Sequence, residues 1–85
     1  MIARQLTIAA GDNELIAKTG FGDPVRVQNL GTGILWIGGL ITVDETDGFK
    51  VPVDGELDLR HWSGNIYGYA ETSDCDVRII EEKLG

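Results

Sequence analysis

The chain contains very few of the residues from which catalytic and metal sites are built. Its 85 residues include one histidine, His61, and one cysteine, Cys75. A structural zinc site needs four ligands of the Cys/His type, and nucleophilic catalysis needs a nucleophile held beside its base. Cys75 alternates in phase with Val77 and Ile79, which predicts a small buried side chain rather than a nucleophile paired with His61. We therefore predict no enzymatic activity, no catalytic or metal-binding residues and no cofactor.

Disulfides, a signal sequence and membrane spans are also missing from the sequence. A single cysteine cannot form an internal disulfide, which favours a reducing compartment. Residues 1–7 have no uninterrupted apolar core of the kind that a signal peptide carries. No run approaches the roughly 20 apolar residues that a membrane-spanning helix needs. These features predict a soluble protein that is made in the cytoplasm and does not interact with membranes.

Basic residues are scarce. Seven Lys and Arg stand against 14 Asp and Glu, which gives a formal charge of −7. Binding to nucleic acid or to an anionic membrane usually depends on a basic patch, so both are excluded. The acidic run at residues 44–48 does not match a calcium loop, because Thr46 and Gly48 fill the positions alternate to Asp44. A loose calcium site shared between turns is the alternative for these carboxylates.

Glycine and β-branched residues are abundant and indicate strands separated by tight turns. Twelve glycines lie mainly between short apolar runs. Several runs alternate with period two: Val25 and Val27 with polar neighbours, and Phe49, Val51 and Val53 with Lys50, Pro52 and Asp54. The pattern predicts one all-β domain over residues 1–85, an antiparallel β-sandwich of the jelly-roll kind or a small barrel. It would have seven or eight short strands and no substantial helix.

One strand departs from this alternation. Residues 34–37, Ile-Leu-Trp-Ile, are apolar on both faces, and Leu40 and Ile41 follow after two glycines. A strand with two apolar faces is either sandwiched between layers or covered on its outer face by another chain. Both interpretations are open from the sequence. If another chain covers the strand, the candidate interface residues are Ile34, Trp36 and Ile37, together with Trp62 and the outward-pointing Ile80.

The order of the motifs also resembles a known group of proteins. The matching segments are VRVQNLGTGILWIGG at residues 25–39, ITV at 41–43, GFKVP at 48–52, IYGYA at 66–70 and DVRIIE at 76–81. This order resembles that of small β-sandwich structural proteins from the virions of tailed bacteriophages. The sequence departs from the group's pattern at Gly68, where the group has a small apolar residue.

The resemblance implies a virion structural protein, most of all a decoration or cement protein that binds the outside of the head. Its expected partners are the major capsid protein or other virion proteins. Oligomers that present several copies of one weak contact gain affinity by about 10² to 10⁴, so we expect a homo-oligomer, with a trimer favoured. A receptor- or glycan-binding module of a head fibre, neck or tail is the alternative, with Trp36, Trp62 and Tyr69 as candidate rings. A small enzyme would instead need His61 beside Cys75 or a carboxylate.

Overall fold

A computed structural model describes residues 2–19, 24–59 and 64–81, and these residues form eight strands. The strands are β1 (Ile2–Ile8), β2 (Asn13–Thr19), β3 (Val25–Asn29), β4 (Ile34–Gly38), β5 (Phe49–Val51), β6 (Glu56–Leu59), β7 (Gly64–Glu71) and β8 (Cys75–Glu81). The prediction of an all-β protein with seven or eight strands is confirmed. Among the described residues there is no helix that is long and apolar enough to cross a membrane.

The strands form two four-stranded antiparallel sheets that pack as a sandwich. Sheet 1 has the order β1-β8-β3-β6 and sheet 2 has the order β2-β7-β4-β5. The first strand pairs with the last, β2 with β7, β3 with β6, and β4 with β5. The chain is therefore one long hairpin wound into two sheets, which is the jelly-roll arrangement. Of the two predicted architectures, the sandwich is correct.

The core consists of aliphatic side chains from alternate positions of both sheets. Val25 and Val27 are buried while Arg26 is exposed, as their alternation predicts. Cys75 is likewise buried in line with the other inward residues of β8. The buried cluster comprises Ile8, Ile16, Ala17, Val25, Val27, Leu35, Ile37, Val51, Ile66, Ala70, Cys75, Val77 and Ile79. The same alternation leaves the intervening side chains on the two outer faces of the sandwich.

Gly68 lies in this core, at the position where the sequence departs from the bacteriophage pattern. A Cβ atom at Gly68 would lie 2.6 Å from Cδ1 of Ile16 and 3.0 Å from Cδ1 of Ile8. The long side chains of the neighbouring strand β2 and of β1 in the other sheet thus occupy the space that a small apolar residue would fill. Strand β7 is intact around the glycine.

Asn29 is the polar residue buried at the end of β3. Its Nδ2 donates to the carbonyls of Gly33 at 2.8 Å and Val51 at 3.1 Å, and the backbone N–H of Gly31 donates to its Oδ1 at 3.1 Å. These bonds join β3 to the loop that follows it and to β5 of the other sheet. The asparagine of the Val-x-Val-x-Asn motif therefore holds the two sheets together at this end of the sandwich.

The predicted alternation over residues 49–53 holds only in part. Strand β5 ends at Val51, and Val51 is its one buried side chain. Phe49 and Val53 are 62% and 45% exposed. Strand β5 is a short strand at the edge of sheet 2, and within the described residues no further strand pairs with its outer side, which leaves these side chains exposed.

Candidate interaction surface

The outer face of sheet 2 carries five large apolar and aromatic side chains that do not enter the core. Paired residues of antiparallel strands project to the same side, and the register pairs Trp36 with Tyr69 and Leu15 with Tyr67. Each of these side chains is partly exposed. We call this surface the aromatic face and define it by Leu15, Ile34, Trp36, Tyr67 and Tyr69.

The predicted anchors of residues 34–37 separate into two sets. Ile34 and Trp36 lie on the aromatic face and are half-buried. Ile37 is fully buried in the core together with Leu35. The prediction that Ile37 is an interface residue is therefore wrong, because strand alternation turns its side chain toward sheet 1. The core interpretation is correct for Leu35 and Ile37, and cover by another chain stays a prediction for Ile34 and Trp36.

The loop between β4 and β5, residues 39–48, covers part of the aromatic face. Val43 is 3% exposed and lies over Gly38, where a Cβ atom would approach Val43 Cγ2 to 2.8 Å. The side-chain Nδ2 of Asn13 on β2 donates to the Val43 carbonyl at 2.6 Å. The loop thus folds back across the sheet, and the chain itself shields some of the apolar surface that a partner would otherwise have to cover.

The indole of Trp36 and the phenol of Tyr67 on the aromatic face both have hydrogen-bond partners, with Asn65 Nδ2 donating to the Tyr67 oxygen at 3.1 Å. The indole N–H of Trp36 donates to Glu71 of β7. Burial raises the pKa of the Tyr69 phenol, and the nearby carboxylates of Glu45, Glu71 and Asp44 raise it further. The phenol therefore stays neutral, and the rings offer apolar surface with negative charge beside it.

Further apolar side chains are exposed where β4 and β5 meet the loop. Phe49 pairs with Ile37 at the end of β4, and Leu40 and Ile41 follow that strand. Leu40 is 70% exposed and Ile41 is 59% exposed. Leu40 and Ile41 are apolar in the sequence, but no periodicity predicts where their side chains point. A shallow cavity of about 130 Å³ at this end is lined by Gly38, Gly39, Leu40, Val43 and Asp47.

The outer face of sheet 1 has a different character. It carries two pairs of opposite charges, with 3.2 Å from Arg78 Nε to Asp76 Oδ1 and 3.5 Å from Arg26 Nη2 to Asp58 Oδ2. Ile80 is 39% exposed on this face. It therefore lies on the opposite side of the sandwich from Ile34 and Trp36, and the predicted interface residues do not form a single patch.

The remaining residues singled out in the sequence are His61, Trp62 and Cys75. Trp62 and His61 lie outside the described residues. Cys75 is fully buried, and burial raises the pKa of its thiol. Within residues 2–19, 24–59 and 64–81, no group of three or more His, Cys, Asp or Glu side chains could hold a metal ion.

The comparisons with known proteins establish the fold alone. No family model and no curated protein matches the sequence. Among solved structures, the chain is similar to a de novo designed double-stranded β-helix, with a TM-score of 0.73 and 14% identity over 96% of this chain and 100% of that one. The fold is thus a double-stranded β-helix of the jelly-roll kind. At this level of identity the similarity carries no function.

Proposed function

We propose that the protein is a bacteriophage virion structural protein, most of all a decoration protein that binds the outside of the head and stabilises it. The observation that supports the proposal best is the difference between the two outer faces. One presents half-buried Ile34 and Trp36, and the other presents paired charges. A subunit that binds a shell needs one adhesive side and one solvated side.

The packing of the interior supports a role for the outer surfaces. Thirteen buried side chains fill the space between the sheets in the described part of the chain. Jelly rolls occur in viral capsid and lectin domains and in cupins, so the fold alone does not choose among these roles. With the interior occupied by Leu35, Ile37 and their neighbours, recognition falls to the aromatic face.

The net charge fits a position on the outside of a particle. A charge of −7 keeps the protein away from packaged nucleic acid and keeps decorated particles dispersed. The loop beside the aromatic face carries Asp44, Glu45 and Asp47. The preferred shell partner is therefore an apolar surface bordered by basic residues, for example those of the major capsid protein.

Oligomeric contacts would supply the remaining affinity. A single contact with a Kd of about 10 μM needs roughly 8 kcal/mol more binding free energy to become very tight. One small face rarely provides that difference. Several linked copies gain about 10² to 10⁴ in affinity without new contacts. A trimer stays our prediction for the shell-bound form. Ile34 and Trp36 of each copy are the candidate anchors on the shell.

Quantitative mass spectrometry of purified virions tests the proposal. The protein should be present in a fixed ratio to the major capsid protein, and particles that lack it should lose their contents at a lower temperature or lower salt concentration. Absence from purified particles would overturn the proposal.

The second candidate is a receptor- or glycan-binding module. Trp36, Tyr69 and Tyr67 lie side by side on one sheet face, and sugar-binding surfaces commonly use two or three such rings. A glycan array distinguishes the candidates. Binding that disappears in Trp36→Ala supports the glycan module, whereas no binding on the array together with presence in heads supports decoration.

A further inference from the structure

The four edges of the two sheets differ in how well they are protected against pairing with another strand. An edge strand exposes unpaired backbone N–H and C=O groups, and proteins commonly blunt such edges with short strands, prolines, charges or bulges. The edges here are β1 and β6 in sheet 1 and β2 and β5 in sheet 2.

Three of these edges carry such protection. Strand β5 has three residues and is followed by Pro52. Strand β6 has four residues and exposes the carboxylates of Glu56 and Asp58. Strand β2 is interrupted by a register shift at Ile16, whose carbonyl accepts a hydrogen bond from Nη2 of Arg4 at 2.6 Å.

Strand β1 carries only one such feature, the charged side chain of Arg4, which pairs in register with buried Ile79 and is bound by Glu81. It pairs with β8 over all seven positions without a register shift, and it contains no proline, glycine or lysine. Within the described residues, β8 is its one neighbour in the sheet. The outward side chains Ala3, Gln5 and Thr7 are exposed and uncharged. An exposed, regular edge of this length is a site of strand addition.

The pairing of charges at the β1 edge suits a second copy of this chain as the partner. Two molecules that each carry −7 repel one another, so they associate best where neither presents an unpaired charge. The one charged side chain of β1, Arg4, is paired with Glu81 at 3.0 Å. The neighbouring Asp76 is paired with Arg78 and accepts a hydrogen bond from Gln5. The β1 edge therefore meets this condition.

We propose that two copies pair through antiparallel β1 strands about a two-fold axis, which joins the two copies of sheet 1 into one eight-stranded sheet. A register centred on Gln5 uses the full strand, because it places Gln5 opposite its own copy and Ala3 opposite Thr7. The contact is self-complementary, as a two-fold interface must be. It is distinct from the aromatic face on sheet 2 and does not depend on the proposed decoration function.

The contact is small and therefore weak, with an expected Kd on the order of 10 to 100 μM. Sedimentation equilibrium from about 5 to 500 μM tests it on the isolated protein. The mean mass should rise with concentration toward twice that of the smallest species, whether that species is the 9.2 kDa monomer or a trimer. A mean mass that stays constant across this range overturns the proposal.

Two variants locate the contact. Gln5→Glu places two carboxylates opposite each other and should raise the Kd of the two-fold contact about tenfold. Thr32→Glu adds the same charge to a loop outside the contact and should leave that Kd unchanged. Gln5→Cys brings two thiols together across the axis, where opposed Cα atoms are about 4.5–5.5 Å apart and a disulfide can form. Buried Cys75 needs no replacement.

Oxidation of Gln5→Cys should give a covalent dimer, while Gln28→Cys, on the central strand β3 of the same face, should not. Doubling that is unaffected by Gln5→Glu, together with no cross-link in Gln5→Cys, would place the two-fold contact elsewhere and overturn the proposal. Equal cross-linking of the two cysteine variants would do the same. Presence in virions tests the decoration function separately.

Discussion

Trp36 on β4 donates its indole N–H to Glu71 on the neighbouring strand β7, with 2.7 Å between Nε1 and Oε1. This bond satisfies the one polar atom of the largest side chain on the aromatic face and fixes the direction of the ring. Burying the ring against a partner then leaves no indole donor unpaired. A rigid aromatic side chain also loses little conformational freedom on binding, which suits an anchor.

Truncating this anchor should weaken attachment to particles. We expect Trp36→Ala to reduce binding by about 2 kcal/mol, roughly thirty-fold in Kd, because buried aromatic anchors dominate interface energies. Lys50→Ala should change binding by less than about 0.5 kcal/mol, as is usual for a lone surface charge. Since Lys50 lies opposite Trp36 on β5, Gln28→Ala on the other outer face is the cleaner control. Equal losses from all three variants in a particle co-sedimentation assay would contradict the choice of face.

The bond to Glu71 should be measurable in the fold itself. Glu71→Ala should lower the free energy of unfolding by about 1 kcal/mol, because the indole N–H loses a charge-assisted acceptor in a partly buried place. Glu56→Ala, an exposed carboxylate on the edge strand β6, should lower it by less than about 0.5 kcal/mol. Urea unfolding measures both values. A Glu71→Ala variant as stable as Glu56→Ala would show that the bond contributes nothing.

Gly38 and Val43 should be energetically coupled. Gly38→Ala should destabilise the fold by about 1–3 kcal/mol, because the added methyl group would lie 2.8 Å from Val43 Cγ2 and push the loop off the sheet. Val43→Ala should lose about 1–2 kcal/mol through lost packing. The double variant should lose clearly less than the sum, since the smaller residue 43 makes room for the methyl group. Additive losses would mean that the loop does not rest on Gly38.

Asn29 should be among the most sensitive polar positions. Asn29→Ala removes the donor to the Gly33 and Val51 carbonyls and leaves buried backbone groups unpaired. We expect the free energy of unfolding to fall by about 3 kcal/mol. Gln28→Ala, one residue earlier and directed outward, should change it by less than about 0.5 kcal/mol. Similar urea midpoints for the two variants would contradict the linking role of Asn29.

Two carboxylates should titrate below their usual value of 3.8. Hydrogen bonds from Arg78 lower the pKa of Asp76, and bonds from the side chain and backbone of Thr46 lower the pKa of Asp44. A lowered folded-state pKa means that the associated stability is present above pH 3.8 and is lost as the pH falls through the lower, folded-state value. Carbon-detected NMR titration gives each pKa directly. Arg78→Gln should move the Asp76 midpoint back toward 3.8 and leave Asp44 unchanged.

Much of the fold is readable from the sequence because burial on one side of a strand imposes a period of two. Val25, Val27, Cys75 and Ile79 show this pattern and are buried. The same rule could not decide which side chains of residues 34–37 enter the core, because both faces of that strand are apolar. Leu35 and Ile37 face the core, whereas Ile34 and Trp36 face outward.

The candidate surface is harder to predict because its parts come together through non-local contacts. The contact of Val43 with Gly38 and the bond from Asn13 arise from a loop without periodicity. Tyr67 and Tyr69 join Trp36 through the register of β4 and β7, which pairs residues far apart in the sequence, such as Trp36 with Tyr69. Ile80 points outward as expected, but strand order places it on the other sheet.

An electron cryo-microscopy map of the intact particle tests the central claim most directly. It should show jelly-roll density at regular positions on the outside of the head, with the strands of sheet 2 toward the shell and the charged outer face of sheet 1 toward solvent. A shell without this density, or subunits attached through sheet 1 with Trp36 directed into solvent, would contradict the account.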